Sequence, residues 1–133
     1  MGTRQDLESY LMASSYLCEE LADSTWVVRD PSQPEDRIVV RLEDNLVVLR
    51  LNVLSLSAVQ NRGALFEALL RLNASDMAHG AYALAGEQVV LVSAHRLDTL
   101  DEEELRSSVD DFILAVQNHH AVFKTHCEVG GTV

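Results

Sequence analysis

The side chains best suited to chemistry in this 133-residue chain lie near its end, where three histidines and a cysteine cluster. They are His119, His120, His126 and Cys127. Imidazole and thiolate groups are good zinc ligands. Successive residues of a helix point about 100° apart, however, so His119 and His120 cannot both face one ion. We therefore interpret the group as a polar helix end that complements the helix dipole, and we expect no metal and no cofactor.

The other candidate chemistry is weaker. The acidic run Asp101–Glu104 lacks the alternate ligand spacing of a calcium loop, so it is interpreted as a solvated helix start. His79 and His95 are expected on the surface. The sequence has no glycine-rich phosphate loop, no G-x-S-x-G and no H-E-x-x-H motif, and we predict no catalytic residue and no enzyme. The aromatic residues that could line a ligand pocket are interpreted as core: Trp26, Phe66 and Tyr82.

Charge narrows the classes of partner. The chain has 21 acidic and 10 basic residues, a formal net charge of −11 and a pI near 4.7. Affinity for nucleic acid comes largely from Lys and Arg at phosphates, so this composition argues against a nucleic-acid reader, and equally against docking on an anionic membrane. An acidic surface favours basic or amphipathic partners.

The sequence shows no recognisable secretory signal and no membrane span, and we therefore expect a cytoplasmic protein. The segment Met1–Leu11 never assembles the uninterrupted apolar stretch of a secretory signal, and no run approaches the roughly 18 apolar residues of a membrane span. Cys18 and Cys127 are interpreted as free thiols in a reducing compartment. The length indicates a single domain over residues 1–133, with residues 124–133 as a frayed tail.

Hydrophobic periodicity predicts the elements that must position these residues. The expected order is α-β-β-β-α-β-β-α, an α+β domain whose antiparallel sheet is packed by helices. Thr3 and Thr99 are the expected N-caps of the first and third helices, with Glu102 in the capping box of the third. The predicted helices span 3–22, 60–72 and 100 to at least 120, and the predicted strands span 25–29, 37–42, 46–54, 81–85 and 88–94, with a turn-rich loop over 30–36.

The second half of the chain resembles a known family. The resemblance is carried by Leu69-Leu70-Arg71-Leu72-Asn73, by Gly80-Ala81-Tyr82-Ala83-Leu84 and by Val89-Val90-Leu91-Val92. Leu97, Leu100-Asp101, Leu105 and Val109 to Phe112 complete it. These patterns resemble the type III secretion chaperone fold, above all the YbjN-type proteins and also the CesT (Tir chaperone) group. The resemblance implies a homodimer with a binding role, and it carries over no catalytic residue.

The second predicted helix has a wider apolar arc than one sheet contact needs, and an excess apolar patch normally marks an interface. The residues predicted to form contact surfaces are Leu65, Phe66, Leu69, Leu70, Trp26 and Arg50. We therefore hypothesise a non-enzymatic protein-binding module, a chaperone-like or adaptor homodimer that holds a protein segment or peptide. The alternative is a regulatory domain that binds a small ligand, similar to the sensory transduction regulators.

Overall fold

A computed structural model describes residues 2–127 of the chain. The domain is α+β, as predicted, with six strands and four α-helices among these residues. In chain order they are α1 (Arg4–Ala13), β1 (Leu17–Ala22), β2 (Thr25–Asp30), β3 (Gln33–Glu43), β4 (Leu46–Ser55), α2 (Arg62–Ser75), β5 (Ala81–Ala85), β6 (Gln88–Arg96), α3 (Glu102–Asn118) and α4 (His120–His126). No helix in the described part of the chain is long and apolar enough to cross a membrane.

The strands form one antiparallel sheet in the order β1-β2-β3-β4-β6-β5. Two-residue turns join most neighbours, and the turns that precede β2, β4 and β6 each contain one residue in the left-handed region. These residues are Ser24 (φ 60°), Asp44 (φ 54°) and Gly86 (φ 59°). A positive φ matches the twist of tight hairpins, so short connections force consecutive strands to pair.

The core lies between one face of the sheet and the helices. We call the face of the sheet that packs against the helices the first face. Its residues alternate along each strand with residues of the opposite face, as the pleat requires. The helices contribute buried residues to the same cluster, among them Leu7 of α1, Leu65 of α2, Phe112 of α3 and Phe123 of α4. The sheet contributes Trp26, Val28, Ile38, Val40, Val47, Leu49, Leu51, Tyr82, Val89 and Leu91. The opposite face, called the second face below, lies outside this cluster.

The predicted first helix, Thr3–Ala22, is wrong beyond residue 13. The helix ends at Ser14, whose hydroxyl donates to the Leu11 carbonyl at 3.0 Å and accepts from the Tyr16 amide at 3.3 Å. Serine hydroxyls that bond to nearby backbone compete with helix continuation. The remainder becomes β1, which pairs with β2 along Leu17–Ala22. The chain between the first two predicted helices therefore holds four strands in place of the predicted three.

The third predicted helix also differs in its ends. Its N-cap is Asp101, whose carboxylate accepts from the Glu104 amide at 2.7 Å, and Thr99 lies in the 3₁₀ turn Leu97–Thr99 instead. The helix breaks at His119, and the chain continues as α4. Residues 124–126 of the predicted frayed tail are thus helical, and residues 128–133 lie outside the described residues. The predicted 30–36 loop is shorter than expected, because β3 already begins at Gln33.

Candidate functional site

The largest departure from the sequence-based site analysis is His119. It was interpreted as part of a polar helix end, yet its side chain is only 5% exposed. Its Nδ1 lies 2.7 Å from the Tyr82 hydroxyl and its Nε2 lies 3.1 Å from Asp76 Oδ2. The break between α3 and α4 turns the imidazole inward, where it joins the C-terminal end of α2 to β5. His120, the next residue, is exposed, as the expected angle between neighbouring helical side chains requires.

The order Asp76–His119–Tyr82 resembles a carboxylate–imidazole–hydroxyl relay, but the hydroxyl is badly placed for catalysis. Tyr82 is only 5% exposed, so a substrate cannot reach its oxygen. Burial, reinforced by the nearby Asp76 charge, raises the pKa of Tyr82 and keeps the phenol protonated. A hydrogen bond from Ser75, with a further one from His119, holds the pKa of Asp76 below its usual value. The arrangement fastens three elements together and has no activated nucleophile.

A cavity of about 220 Å³ with a mixed polar and apolar lining lies beside this network, between the end of α2 and α3. Its lining includes Asp76, Asp111, Asn118 and His119. His79, expected on the surface, is half-buried and bonds through Nδ1 to the Asp111 carboxylate. Within residues 2–127 no three His, Cys, Asp or Glu side chains are grouped as a metal site requires. Of the groups in the cavity wall, Asp76 and His119 bond to each other and Asp111 bonds to His79.

His95 was also expected on the surface, and the structure buries it as well. Its side chain is 12% exposed, and its Nε2 lies 3.1 Å from the hydroxyl of the buried Ser108. Burial lowers the pKa of His95, although the nearby Glu104 carboxylate partly opposes this effect. His95 therefore joins β6 to α3 as a neutral side chain.

An apolar groove runs between α2 and the edge strand β5. It has a volume of about 210 Å³. Its walls are Phe66, Leu69 and Leu70 of α2 and Tyr82 and Leu84 of β5. Leu70 is 68% exposed and Leu84 is 52% exposed, so the groove presents large apolar side chains to solvent. β5 is the last strand of the sheet, and on its outer edge the Asn73 side chain accepts from the Tyr82 amide at 2.7 Å and donates to the Tyr82 carbonyl at 3.1 Å.

The structure divides the six residues predicted as contact surfaces. Trp26, Leu65 and Leu69 are core residues with 4%, 0% and 5% exposure. Their side chains pack inside the domain and are not accessible to a partner. The residues of α2 divide because its apolar arc is wider than the contact with the sheet. One side of the arc packs against the sheet and the other side faces solvent. Phe66 is half-buried in the groove, and Leu70 and Arg50 are exposed. The structure brings Phe66 and Leu70 together and places Arg50 on a different surface.

Arg50 lies on the second face of the sheet. Registered neighbours across four strands form a row of Val27, Val39, Arg50 and Val92. Beside this row is a concavity of about 400 Å³, whose lining includes Leu21, Glu35, Arg37, Val39 and Arg50. Arg50 Nε donates to Asn52 Oδ1 at 3.3 Å, and the exposed Arg50 side chain lines the concavity.

A comparison with protein families matches the CesT_Tir_1 model over residues 2–128. The chain belongs to this type III secretion chaperone family. The match confirms the resemblance to the CesT group and extends it from the second half to nearly the whole chain. It is a family of chaperone-type, non-enzymatic proteins. A comparison with curated proteins finds no significant match.

The sequence analysis missed two features of this CesT-family chain. Arg37 could have been predicted as a contact residue beside Arg50. The sequence already predicted that Arg29, Arg37 and Arg50 lie on three consecutive strands joined by short connections. The burial of His119 had no comparable signal, since it depends on a helix break and on Tyr82 and Asp76, which lie 37 and 43 residues away.

Proposed function

We propose that the chain is a cytoplasmic homodimeric chaperone or adaptor that holds a segment of a client protein and catalyses no reaction. The observation that carries this proposal is the apolar groove between α2 and β5, in which Leu70 and Leu84 are both more than half exposed. Exposed leucines that meet in one concave surface mark an interface, whereas single scattered ones do not. Membership of the CesT_Tir_1 family supports a protein as the partner.

The groove suits the dimer interface better than the client site. In a two-fold dimer the same patch occurs on both subunits, so Leu70 of one subunit can fill the groove beside Leu84 of its partner. At the edge of β5 the Tyr82 amide and carbonyl already bond to the Asn73 side chain, so the interface rests mainly on the apolar side chains of the groove. The client segment then takes the second face of the sheet. The buried apolar residues of the described helices all belong to the core cluster on the opposite face.

The dimer is tested with Leu70→Asp and Leu84→Asp. A carboxylate in an apolar interface costs several kcal/mol unless it is paired, so each substitution should give a monomer at micromolar concentration while circular dichroism stays unchanged. Light scattering after size-exclusion chromatography measures the mass. Phe66→Asp is less informative, because Phe66 also packs against the core.

Leu114→Asp is the matched control. Leu114 is a helical leucine with 52% exposure that lies on α3, outside the groove. It should remain dimeric. The interface assignment fails if the unmodified protein is a monomer, or if Leu114→Asp dissociates the dimer and the two groove substitutions do not.

A further inference from the structure

We propose that the second face of the sheet binds an acidic segment of the client, whose carboxylates pair with the guanidinium groups of Arg37 and Arg50. The proposal rests on the proposed protein-binding function and specifies the chemistry of its partner. It departs from the expectation of basic clients, which follows from net charge alone. The reason for the departure is the distribution of charge on this face.

Most basic residues of the chain are already paired. Six of the ten have a carboxylate oxygen within 4.0 Å: Arg4, Arg29, Arg41, Arg62, Arg71 and Arg96. Arg37 and Arg50 have no such partner among the described residues, although acidic side chains outnumber basic ones by 21 to 10. In a chain with so many carboxylates, two unpaired guanidinium groups in one concavity are a specific arrangement.

The register of the strands increases the positive charge at this place. Arg37 lies directly opposite Arg29 of the neighbouring strand, and Arg50 lies on the next strand beyond Val39. Like charges directly opposite each other are unfavourable. Arg29 is compensated by Glu19 at 3.5 Å, which leaves Arg37 and Arg50 as the pair that an external anion would neutralise.

A peptide carboxylate is the anion that fits this surface. The planar guanidinium matches a carboxylate with two parallel hydrogen bonds. Apolar side chains flank the arginines, namely Leu21, which is 55% exposed, and the half-buried Val39. A segment that alternates acidic and apolar residues would use both kinds of contact, whereas a small free anion would use only the arginines.

Two sources of negative charge oppose the binding of an acidic segment at this site, but neither prevents direct contact with the arginines. Glu35 lines the same concavity, so an acidic side chain of the client must approach Arg37 and Arg50 from the side away from it. The net charge of −11 repels an acidic segment at long range. At physiological salt the Debye length is about 8 Å, so charges elsewhere on the surface are largely screened while direct contacts are not.

The test uses a fluorescein-labelled eight-residue peptide that alternates Glu with Leu, with a Gln-Leu peptide of the same length for comparison. Fluorescence anisotropy measures binding to the unmodified protein and to Arg37→Gln, Arg50→Gln and the double variant. Each substitution should weaken binding of the Glu-Leu peptide on the order of tenfold, because each removes a charge-assisted contact. The Gln-Leu peptide should bind more weakly than the Glu-Leu peptide to the unmodified protein, and the two substitutions should change its affinity little.

Arg106→Gln is the matched control, since it makes the same change in net charge at an exposed position on α3. It should change binding less than twofold. The proposal is overturned if the double variant binds the Glu-Leu peptide as tightly as the unmodified protein, if Arg106→Gln weakens it equally, or if the Gln-Leu peptide binds as well. It is also overturned if free glutamate competes as effectively as unlabelled peptide, which would indicate a small-anion site.

The mass of each variant is measured in parallel, so failure of this proposal is distinguishable from failure of the proposed function. A dimer that binds the Gln-Leu peptide as tightly as the Glu-Leu peptide keeps the protein-binding function and rejects the acidic partner. A monomer that binds neither peptide rejects both.

Discussion

Removing the Tyr82 hydroxyl tests whether the buried His119 network stabilises the fold. Tyr82→Phe deletes one oxygen and keeps the ring, which packs edge-on against Phe123 with centroids 5.8 Å apart. In a neutral His119 whose Nε2–H donates to Asp76, Nδ1 is an acceptor, and the Tyr82 hydroxyl is then the donor at 2.7 Å. The substitution therefore leaves a buried imidazole nitrogen without a partner.

The expected loss follows from that burial. An unsatisfied buried acceptor costs about 1–3 kcal/mol, a large share of the roughly 5–15 kcal/mol by which a domain of this kind is stable. His119 is 4% exposed, so water cannot readily replace the missing hydroxyl. Asp76, in contrast, has a side chain that is 47% exposed, and its replacement by Ala should destabilise the protein less.

Urea denaturation followed by circular dichroism and by the fluorescence of the single, buried Trp26 measures the free energy of unfolding. Tyr10→Phe is the control, because that phenol is only half-buried and should change stability by less than about 0.5 kcal/mol. A double-mutant cycle with His119→Leu isolates the pair, and its interaction energy should be on the order of 1 kcal/mol. A Tyr82→Phe effect no larger than the control, or a cycle with no interaction energy, would refute the network.

Two further predictions concern acid sensitivity and the start of α3. Because burial lowers the pKa of His95 below 6.5, the unfolded chain binds its proton first, so the stability contributed by neutral His95 should be lost as the pH falls below 6.5. His95→Gln should remove that part of the pH dependence in urea denaturation between pH 8 and pH 5, and an unchanged profile would contradict the burial argument. Asp101→Ala should cost about 0.5–2 kcal/mol because it deletes the N-cap, while Thr99→Ala should cost less than about 0.5 kcal/mol. The opposite ranking in thermal denaturation would restore Thr99 as the cap.

Local patterns in the sequence were sufficient to predict most of the strands and helices and the fold class. Strands β2, β4 and β6 follow from runs rich in β-branched residues, and β5 follows as the partner of β6 across the turn at Gly86, a residue that tolerates positive φ. The α+β class follows from the grouping of those elements. Helix α2 is confirmed, shifted by two residues at its start and three at its end.

Segment 17–22 shows where local patterns were insufficient. Its leucines are spaced as well for a helix as for a strand, and its glutamates and alanine favour a helix. The hairpin with β2 decides the outcome, because the Ser14 hydroxyl stops the helix and pairing with Thr25–Arg29 satisfies the backbone that follows. Pairing between strands is a tertiary contact, and propensity does not contain it.

The candidate surfaces divide in the same way. The sequence by itself determined that α2 has too much apolar surface for one contact, that the chain is acidic and that it lacks catalytic motifs. Only the tertiary structure decided that Leu70 and Leu84 line one groove, that Arg37 and Arg50 share one concavity, and that His119 is inside. The first depends on the packing of α2 beside β5, the second on the register of β3 and β4, and the third on the break between α3 and α4. Spacing along the chain specifies which face a residue occupies, and register specifies which residues it meets there.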